Sequence, residues 1–286
     1  MIELISGKTQ NLAIIGYPIE HTMSPVMQAA ALEAAGLEYN YIALSVPPGR
    51  LVPALDGLRA LYFRGWNVTI PHKSTIMQFL DAIDFDAKLI GAVNTVVNDG
   101  GCLTGYNTDA YGFHMSLVNA GFKIDGKRAI VLGAGGAARA VLWALCQRRA
   151  SSVTIGVRNP KKAAALVDDF ANFSRIDVFD WNDDQFKARL DDADILVNTT
   201  PLGMSPNVDE MPPVDLSLLP TGAVVYDLVY NPSKTKLLAS AEELGLRTIN
   251  GEAMLAHQGV ESFRLFTGVE SDAKVMLEAI RQAFNE

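Results

Sequence analysis

Lys73 closes the segment Trp66-Asn67-Val68-Thr69-Ile70-Pro71-His72-Lys73. An amine held in a partly dry site beside a carboxylate is equipped for acid/base work. The candidate partner is Asp109, at the end of Gly105-Tyr106-Asn107-Thr108-Asp109. Two more polar clusters precede Asp109. One is Gly16-Tyr17-Pro18-Ile19-Glu20-His21-Thr22-Met23-Ser24-Pro25, and the other is Gly91-Ala92-Val93-Asn94-Thr95. Each follows a predicted strand. In α/β sheets ligands bind beyond the carboxyl ends of strands. Hydroxyls, amides, an amine and a carboxylate gathered there suit a small polyhydroxylated ligand and a proton transfer on it.

A second chemistry is written in Gly133-Ala134-Gly135-Gly136-Ala137-Ala138, which fits GxGxx(G/A) between a Val/Ile/Leu run and an Ala-rich run. Gly133 permits the tight turn, Gly135 lets backbone approach a pyrophosphate, and Ala138 lets the helix lie close to the sheet. The following helix start presents free N–H groups to phosphates. NAD enzymes usually end the next strand with a carboxylate that accepts from the ribose 2′-hydroxyl. Here the strand ends Val157-Arg158-Asn159. A guanidinium binds a 2′-phosphate bidentately, so Arg158 favours NADP, with NAD as the other possibility.

These groups need strands and helices to hold them. Residues 12–15 read as a buried strand. Residues 24–37 read as a helix, with Ser24 as N-cap and Pro25 at its first position. Strands are expected at 39–46 and 66–70, the latter carrying Asn67 and Thr69 on one face and stopped by Pro71. Helices are expected at 48–62 and over Lys73–Ile83, and a hairpin at 91–109 turning at Asn98-Asp99-Gly100-Gly101. From residue 127 strand and helix alternate, the sign of a doubly wound parallel sheet. The stretch 204–220 reads as a surface connection, and two amphipathic helices close the chain.

The 286 residues are 49% hydrophobic and 20% charged, with a formal net charge of −8. No basic stripe invites a nucleic acid. The acidic residues read as solvated loops and helix ends. Two cysteines do not make a disulfide framework and read as free thiols. The four histidines lack ligand spacing, so no metal is expected. Without a signal-like start or a bilayer-length apolar run, a cytoplasmic protein with no membrane partner is expected.

Taken in order, GYPIEHTMSP, NVTIPHK, GAVNT, GYNTDAYG, GAGGAARA, NTTPLGM, YDLVYNP and the Gln258 segment make this chain resemble the shikimate/quinate dehydrogenase family over nearly its whole length. The resemblance implies an α/β fold in two domains. Residues 1–110 plus 254–286 would form an α/β substrate domain, and residues 111–253 a Rossmann-like domain with a doubly wound parallel sheet. It implies a cleft between them and reversible NAD(P)-dependent oxidation of the 3-hydroxyl of shikimate, with quinate as a further substrate and a place in aromatic amino acid biosynthesis. Lys73 would be the acid/base and Asp109 its partner. A neighbouring carboxylate favours the charged amine, so Asp109 reads mainly as a positioning group. Thr22 and Ser24 would hold the substrate carboxylate, and Asn67, Thr69, Asn94, Tyr230 and Gln258 would bind the carboxylate or ring hydroxyls. Gly133, Ala134, Gly135, Gly136, Ala137, Arg158, Asn159, Thr200, Pro201, Leu228, Gly251 and Met254 would bind the cofactor. A monomer or homodimer is expected.

The chain departs from the family at three places. Many shikimate-specific members have Ser where this chain has Thr22. NADP members commonly read Asn-Arg-Thr or Asn-Arg-Ser where this chain reads Val157-Arg158-Asn159. Glu252-Ala253 stands where many have Leu-Gly. These leave open a relative specialised for quinate, an aminoshikimate or another cyclic polyol acid. A non-catalytic cofactor sensor is the rival outside enzymology, and a retained amine–carboxylate pair argues against it.

Overall fold

The computed structural model describes residues 5–285. It divides into two compact units, residues 1–112 with 256–286 and residues 113–255.

The first unit begins with β1 (Gln10–Gly16), α1 (Ser24–Ala34), β2 (Tyr39–Ser45), α2 (Leu51–Ala60) and β3 (Gly65–Val68). A short 3-10 turn, Thr75–Phe79, leads to β4 (Ala82–Ile83), α3 (Phe85–Ile90), β5 (Thr95–Asp99) and β6 (Cys102–Tyr106). The sheet order is β2-β1-β3-β5-β6-β4. It is mixed: β1 lies parallel to β2 and β3, while β5 runs antiparallel to β3 and β6. Asp99 pairs with Cys102, which leaves Gly100-Gly101 as a two-residue turn with φ of 60° and 96°. That is the hairpin expected from Asn98-Asp99-Gly100-Gly101, and its positive φ values explain the glycines. Trp66, Ile15, Leu55, Ile76 and Val96 fill one core of this unit.

Helix α4 (Asp109–Asn119) contains the first unit boundary. The second unit follows as β7 (Arg128–Leu132), α5 (Gly136–Gln147), β8 (Ser152–Val157), α6 (Pro160–Phe170), β9 (Ile176–Asp180) and α7 (Asp184–Leu190). Then come β10 (Ile195–Asn198), β11 (Val224–Asp227), α8 (Lys236–Glu243) and β12 (Arg247–Ile249). All neighbours in its sheet are parallel, in the order β12-β11-β10-β7-β8-β9. This is the doubly wound dinucleotide-binding order, whose direction of winding reverses between β7 and β10. The chain returns through α9 (Glu252–Thr267), which contains the second boundary, to α10 (Ala273–Asn285).

Several local expectations are corrected. Ser24 is the first residue of α1, not its N-cap, and Pro25 is the second; the cap position is Met23 and makes no side-chain cap bond. The hydroxyl that accepts the Ser24 N–H is Thr22's, at 3.3 Å. The third strand ends at Val68, leaving Thr69 and Ile70 outside it. The helix expected over Lys73–Ile83 is a 3-10 turn and a two-residue strand. The sheet competes for this backbone: the Asp81 N–H goes to Leu103 O and the Asp84 N–H to Gly105 O. The stretch 204–220 is no mere surface connection, since Leu216 and Leu219 are buried with Trp181, Phe186 and Leu237. β12 escaped the sequence reading because three residues are too few to show an alternation.

Candidate active site

In the first unit the ends of β3, β5 and β6 bring the expected acid/base pair together. Beyond Val68 the chain turns, with the His72 N–H on Thr69 O at 3.0 Å. The Lys73 carbonyl accepts from the Val93 N–H at 2.8 Å, which fixes the lysine backbone to the strand entering β5. Its Nζ donates to Asp109 Oδ2 at 2.5 Å. The lysine side chain is 24% exposed and the aspartate side chain 11%, so the pair is sheltered but open on one side. A charge-assisted bond of this length holds the amine in one orientation.

Asp109 is itself held. Asn94 donates from Nδ2 to Asp109 Oδ1 at 2.8 Å and to Thr108 Oγ1 at 2.9 Å. Asn94 Oδ1 accepts the Thr108 backbone N–H at 2.8 Å. A backbone N–H can only donate, so it determines which end of the amide faces the carboxylate. Asn67 is buried on a central strand. It donates to Asn94 O, Thr95 Oγ1 and Ser262 Oγ, and it accepts from Tyr41 Oη at 2.7 Å. Burial pushes the Tyr41 phenol well above its ordinary value, opposed by a hydrogen bond with Ser24. Thr22 Oγ1 lies 3.2 Å from Ser24 Oγ. One connected polar network therefore runs from the Thr22–Ser24 hydroxyls to the Lys73–Asp109 pair.

Thr69 is half-buried just past β3, its backbone N–H on Ile15 O at 2.9 Å. Gln258 lies on α9 and is half-buried. Tyr230 belongs to the second unit, where burial raises its phenol pKa. The sequence reading missed Tyr41, Thr95, Thr108 and Ser262. Thr95 and Thr108 lay inside quoted motifs, whereas nothing local marks Tyr41 or Ser262.

The second unit carries a cavity of about 620 Å³ at the reversal of its sheet. Gly133, Ala134, Gly135, Arg158, Asn159, Thr200 and Pro201 line it, joined by Val157, Ala163, Trp181, Thr199 and Leu202. Gly136 and Ala137 form the first turn of α5. Leu228, Gly251 and Met254 are not among the lining residues. Gly251 also has a packing reason to be glycine: a Cβ there would collide with the Leu228 carbonyl. Gly133 has φ +107°, and a Cβ on it would stand 2.7 Å from Thr199 Oγ1. Gly135 and Gly136 face open space where a side chain would go. The geometry fits a dinucleotide: a strained turn, an unobstructed backbone, and helix N–H groups without intrahelical partners. Asn159 precedes α6 without spending its side chain on a cap, and Arg158 beside it is exposed.

The Thr200–Pro201 wall is fixed from below. Asn198 Oδ1 accepts from Thr200 N at 3.0 Å and Thr200 Oγ1 at 2.7 Å, while its Nδ2 donates to Asp227 Oδ1 at 2.9 Å. Burial raises the Asp227 pKa, against the lowering effect of bonds from Thr235, the Val229 N–H and Asn198. A carboxyl whose folded pKa is raised contributes stability below its unfolded pKa, about 3.9, and loses that contribution as pH rises through the folded value. Asp227→Asn should therefore gain stability relative to the parent as pH rises from 4 to 7. Thermal melts of both proteins across that range check this; a constant difference in Tm would contradict it.

An amine–carboxylate pair in one unit and a phosphate-ready glycine turn in a doubly wound sheet in the other define a nicotinamide-dependent oxidoreductase acting on a CH–OH group. Family comparisons agree. Residues 14–96 match the shikimate dehydrogenase substrate binding domain, residues 116–204 the shikimate/quinate 5-dehydrogenase family, and residues 251–281 the shikimate 5′-dehydrogenase C-terminal domain. The shikimate dehydrogenase (NADP(+)) of Moorella thermoacetica is 46% identical over 98% of this chain and 95% of its own. The crystal structure of shikimate 5-dehydrogenase from Listeria monocytogenes, in complex with shikimate and NAD, is 36% identical with a TM-score of 0.92, covering 98% and 99% of the two chains. That of Thermus thermophilus, in complex with NADP(H) and shikimate, is 38% identical with a TM-score of 0.87, covering 96% and 100%. This chain belongs to the shikimate/quinate dehydrogenase family. Among the described residues no helix is long and apolar enough to cross a membrane.

Proposed function

We propose that this chain interconverts shikimate and its 3-keto product with NADP(H), Lys73 moving the proton. The observation that carries the reading is the 2.5 Å bond between Lys73 Nζ and Asp109 Oδ2, in a unit otherwise lined with hydroxyls and amides. NADP, when bound, supplies the hydride donor or acceptor. In the reducing direction the Lys73 ammonium gives a proton to the oxygen that becomes the 3-hydroxyl; in the oxidising direction the amine takes it back. Asp109 orients the amine and has lone pairs left for a ring hydroxyl. Thr22 and Ser24 offer two hydroxyls 3.2 Å apart for the substrate carboxylate. Asn94 and Asn67 have their amides engaged within the protein, so their support of the substrate is through the groups they hold. Thr69, Tyr230 and Gln258 would complete the ring contacts. The first unit would then serve as the substrate domain and the second as the cofactor domain, in the cytoplasm, as a monomer or homodimer.

Initial rates with shikimate or quinate, each with NADP⁺ or NAD⁺, test this reading. Shikimate with NADP⁺ is expected to be the fastest combination. Absence of turnover in all four, with cofactor still bound, would sink it in favour of another substrate or a sensor. Arg158 lines the cavity beside the glycine turn and would read the 2′-phosphate there. Arg158→Ala should raise KM for NADP⁺ about tenfold or more while leaving KM for NAD⁺ nearly unchanged, since a charge-assisted pair is worth about 1.5–3 kcal/mol. Equal losses with both cofactors would remove Arg158 from that role.

A further inference from the structure

Ser262 lies on α9, fully buried, ten residues beyond the start of that helix and in none of the quoted motifs. Its hydroxyl is within hydrogen-bond distance of four groups: Asn67 Nδ2 at 2.9 Å, Thr95 Oγ1 at 2.9 Å, Thr108 Oγ1 at 3.1 Å and Gln258 O at 2.9 Å. Counting protons assigns the directions. Asn94 Nδ2 spends its two protons on Asp109 and Thr108. Thr95 gives its single proton to Asn94 Oδ1. Thr108 Oγ1, already accepting from Asn94, has its own proton free, and Ser262 Oγ lies 3.1 Å away to take it. Ser262 thus accepts from Thr108 and Asn67 and donates to Gln258 O or to Thr95. A hydroxyl has one donor and two acceptor positions, and all three are used.

We propose that Ser262 is a positioning residue for the Lys73–Asp109 pair, acting through Thr108 and Thr95 on Asn94, which holds the second oxygen of Asp109. The proposal rests on the acid/base reading of that pair. Without the Ser262 oxygen the Thr108 proton loses its acceptor inside a dry site, and the two Asn67 N–H groups are left with Asn94 O and Thr95 Oγ1 alone. Thr108 must then turn its hydroxyl toward another acceptor, and Asn94 Oδ1 and the Asp109 carboxylate are the ones at hand. Either choice competes with the bonds that set the carboxylate. The Gln258 carbonyl shares the same hydroxyl, so the helix turn that bears the Gln258 side chain is tied to the same node.

The test compares Ser262→Ala with Ser262→Thr, which keeps the hydroxyl. Ser262→Ala should lower kcat for shikimate oxidation roughly ten- to hundredfold, the scale set by small misplacements of a reacting group. It should displace the pH profile of kcat and leave KM for NADP⁺ unchanged. Ser262→Thr should restore most of the rate. Independently of turnover, the Asn94 side-chain amide protons, followed by NMR, should exchange with solvent at least about tenfold faster in Ser262→Ala, because their acceptors are no longer fixed. A lowered Tm with unchanged kcat, pH profile and Asn94 exchange would overturn the proposal. If the parent enzyme does not oxidise shikimate, the functional reading fails on its own, and the Asn94 exchange alone decides whether Ser262 organises the pair.

Discussion

Replacing Lys73 by Ala is expected to lower kcat by about 10²–10⁴-fold in both directions, while the Kd for NADP⁺ stays within about twofold of the parent. The size follows from what is lost: a proton donor positioned by a 2.5 Å bond to Asp109, with no other amine at that place among the described contacts. The separation of rate from affinity follows from the fold, because the glycine turn and its cavity lie in residues 113–255 and Lys73 does not. Single-turnover rates and cofactor titration measure the two quantities separately. Retention of rate would remove Lys73 from the chemistry, and loss of cofactor affinity alone would favour a binding protein over an enzyme. The matching change Asp109→Asn keeps the volume and removes the charge. It should cost less than Lys73→Ala if Asp109 positions the amine rather than taking the proton itself.

The glycine turn gives the second large effect, and its two glycines should fail in different ways. Gly133→Ala puts a methyl 2.7 Å from Thr199 Oγ1, at a φ of +107° that side chains rarely adopt. Thr199 cannot easily yield, because its hydroxyl is bound to Leu132 O at 2.7 Å. The Gly133 N–H is also committed, to Gly156 O at 2.9 Å, so the turn cannot relax without breaking the link between β7 and β8. A backbone outlier of this kind costs about 1–3 kcal/mol, before the contact is counted. Gly133→Ala should therefore lose several degrees of Tm together with cofactor affinity. Gly135→Ala meets nothing within 4 Å. Its stability should be almost unchanged, but the methyl occupies the space a pyrophosphate would approach, so affinity should still fall by about tenfold or more. Melting curves set beside NADP⁺ titrations for the two variants decide the matter. Parallel behaviour of the two would mean that the turn serves packing alone.

The regular parts of this fold could be read from local pattern. The strand–glycine–helix run at 128–147, the Gly100-Gly101 hairpin and the two closing helices each carry their signal within a few residues: an apolar period, a positive φ that calls for glycine, or an Ala-rich stretch. The Lys73–Asp109 pairing was also legible, because both residues end polar strand-exit segments. Where the reading failed, the competing interaction was distant in sequence. The helix expected over Lys73–Ile83 gave way because Asp81 and Asp84 give their N–H groups to strand residues about twenty positions on. Asn67 was read as a group that binds the substrate's carboxylate or ring hydroxyls, yet β3 is central and the amide is claimed by Thr95 and by Ser262, 195 residues away. The sequence alone determined which chemistry is present: an amine, a carboxylate, a set of hydroxyls and a phosphate-ready turn. Tertiary structure decided which of those groups remain free to meet a ligand and which are spent holding the others. A hydroxyl or amide has only two or three hydrogen-bonding positions, and their partners are brought together by sheet order and helix packing, which residue spacing along the chain does not record.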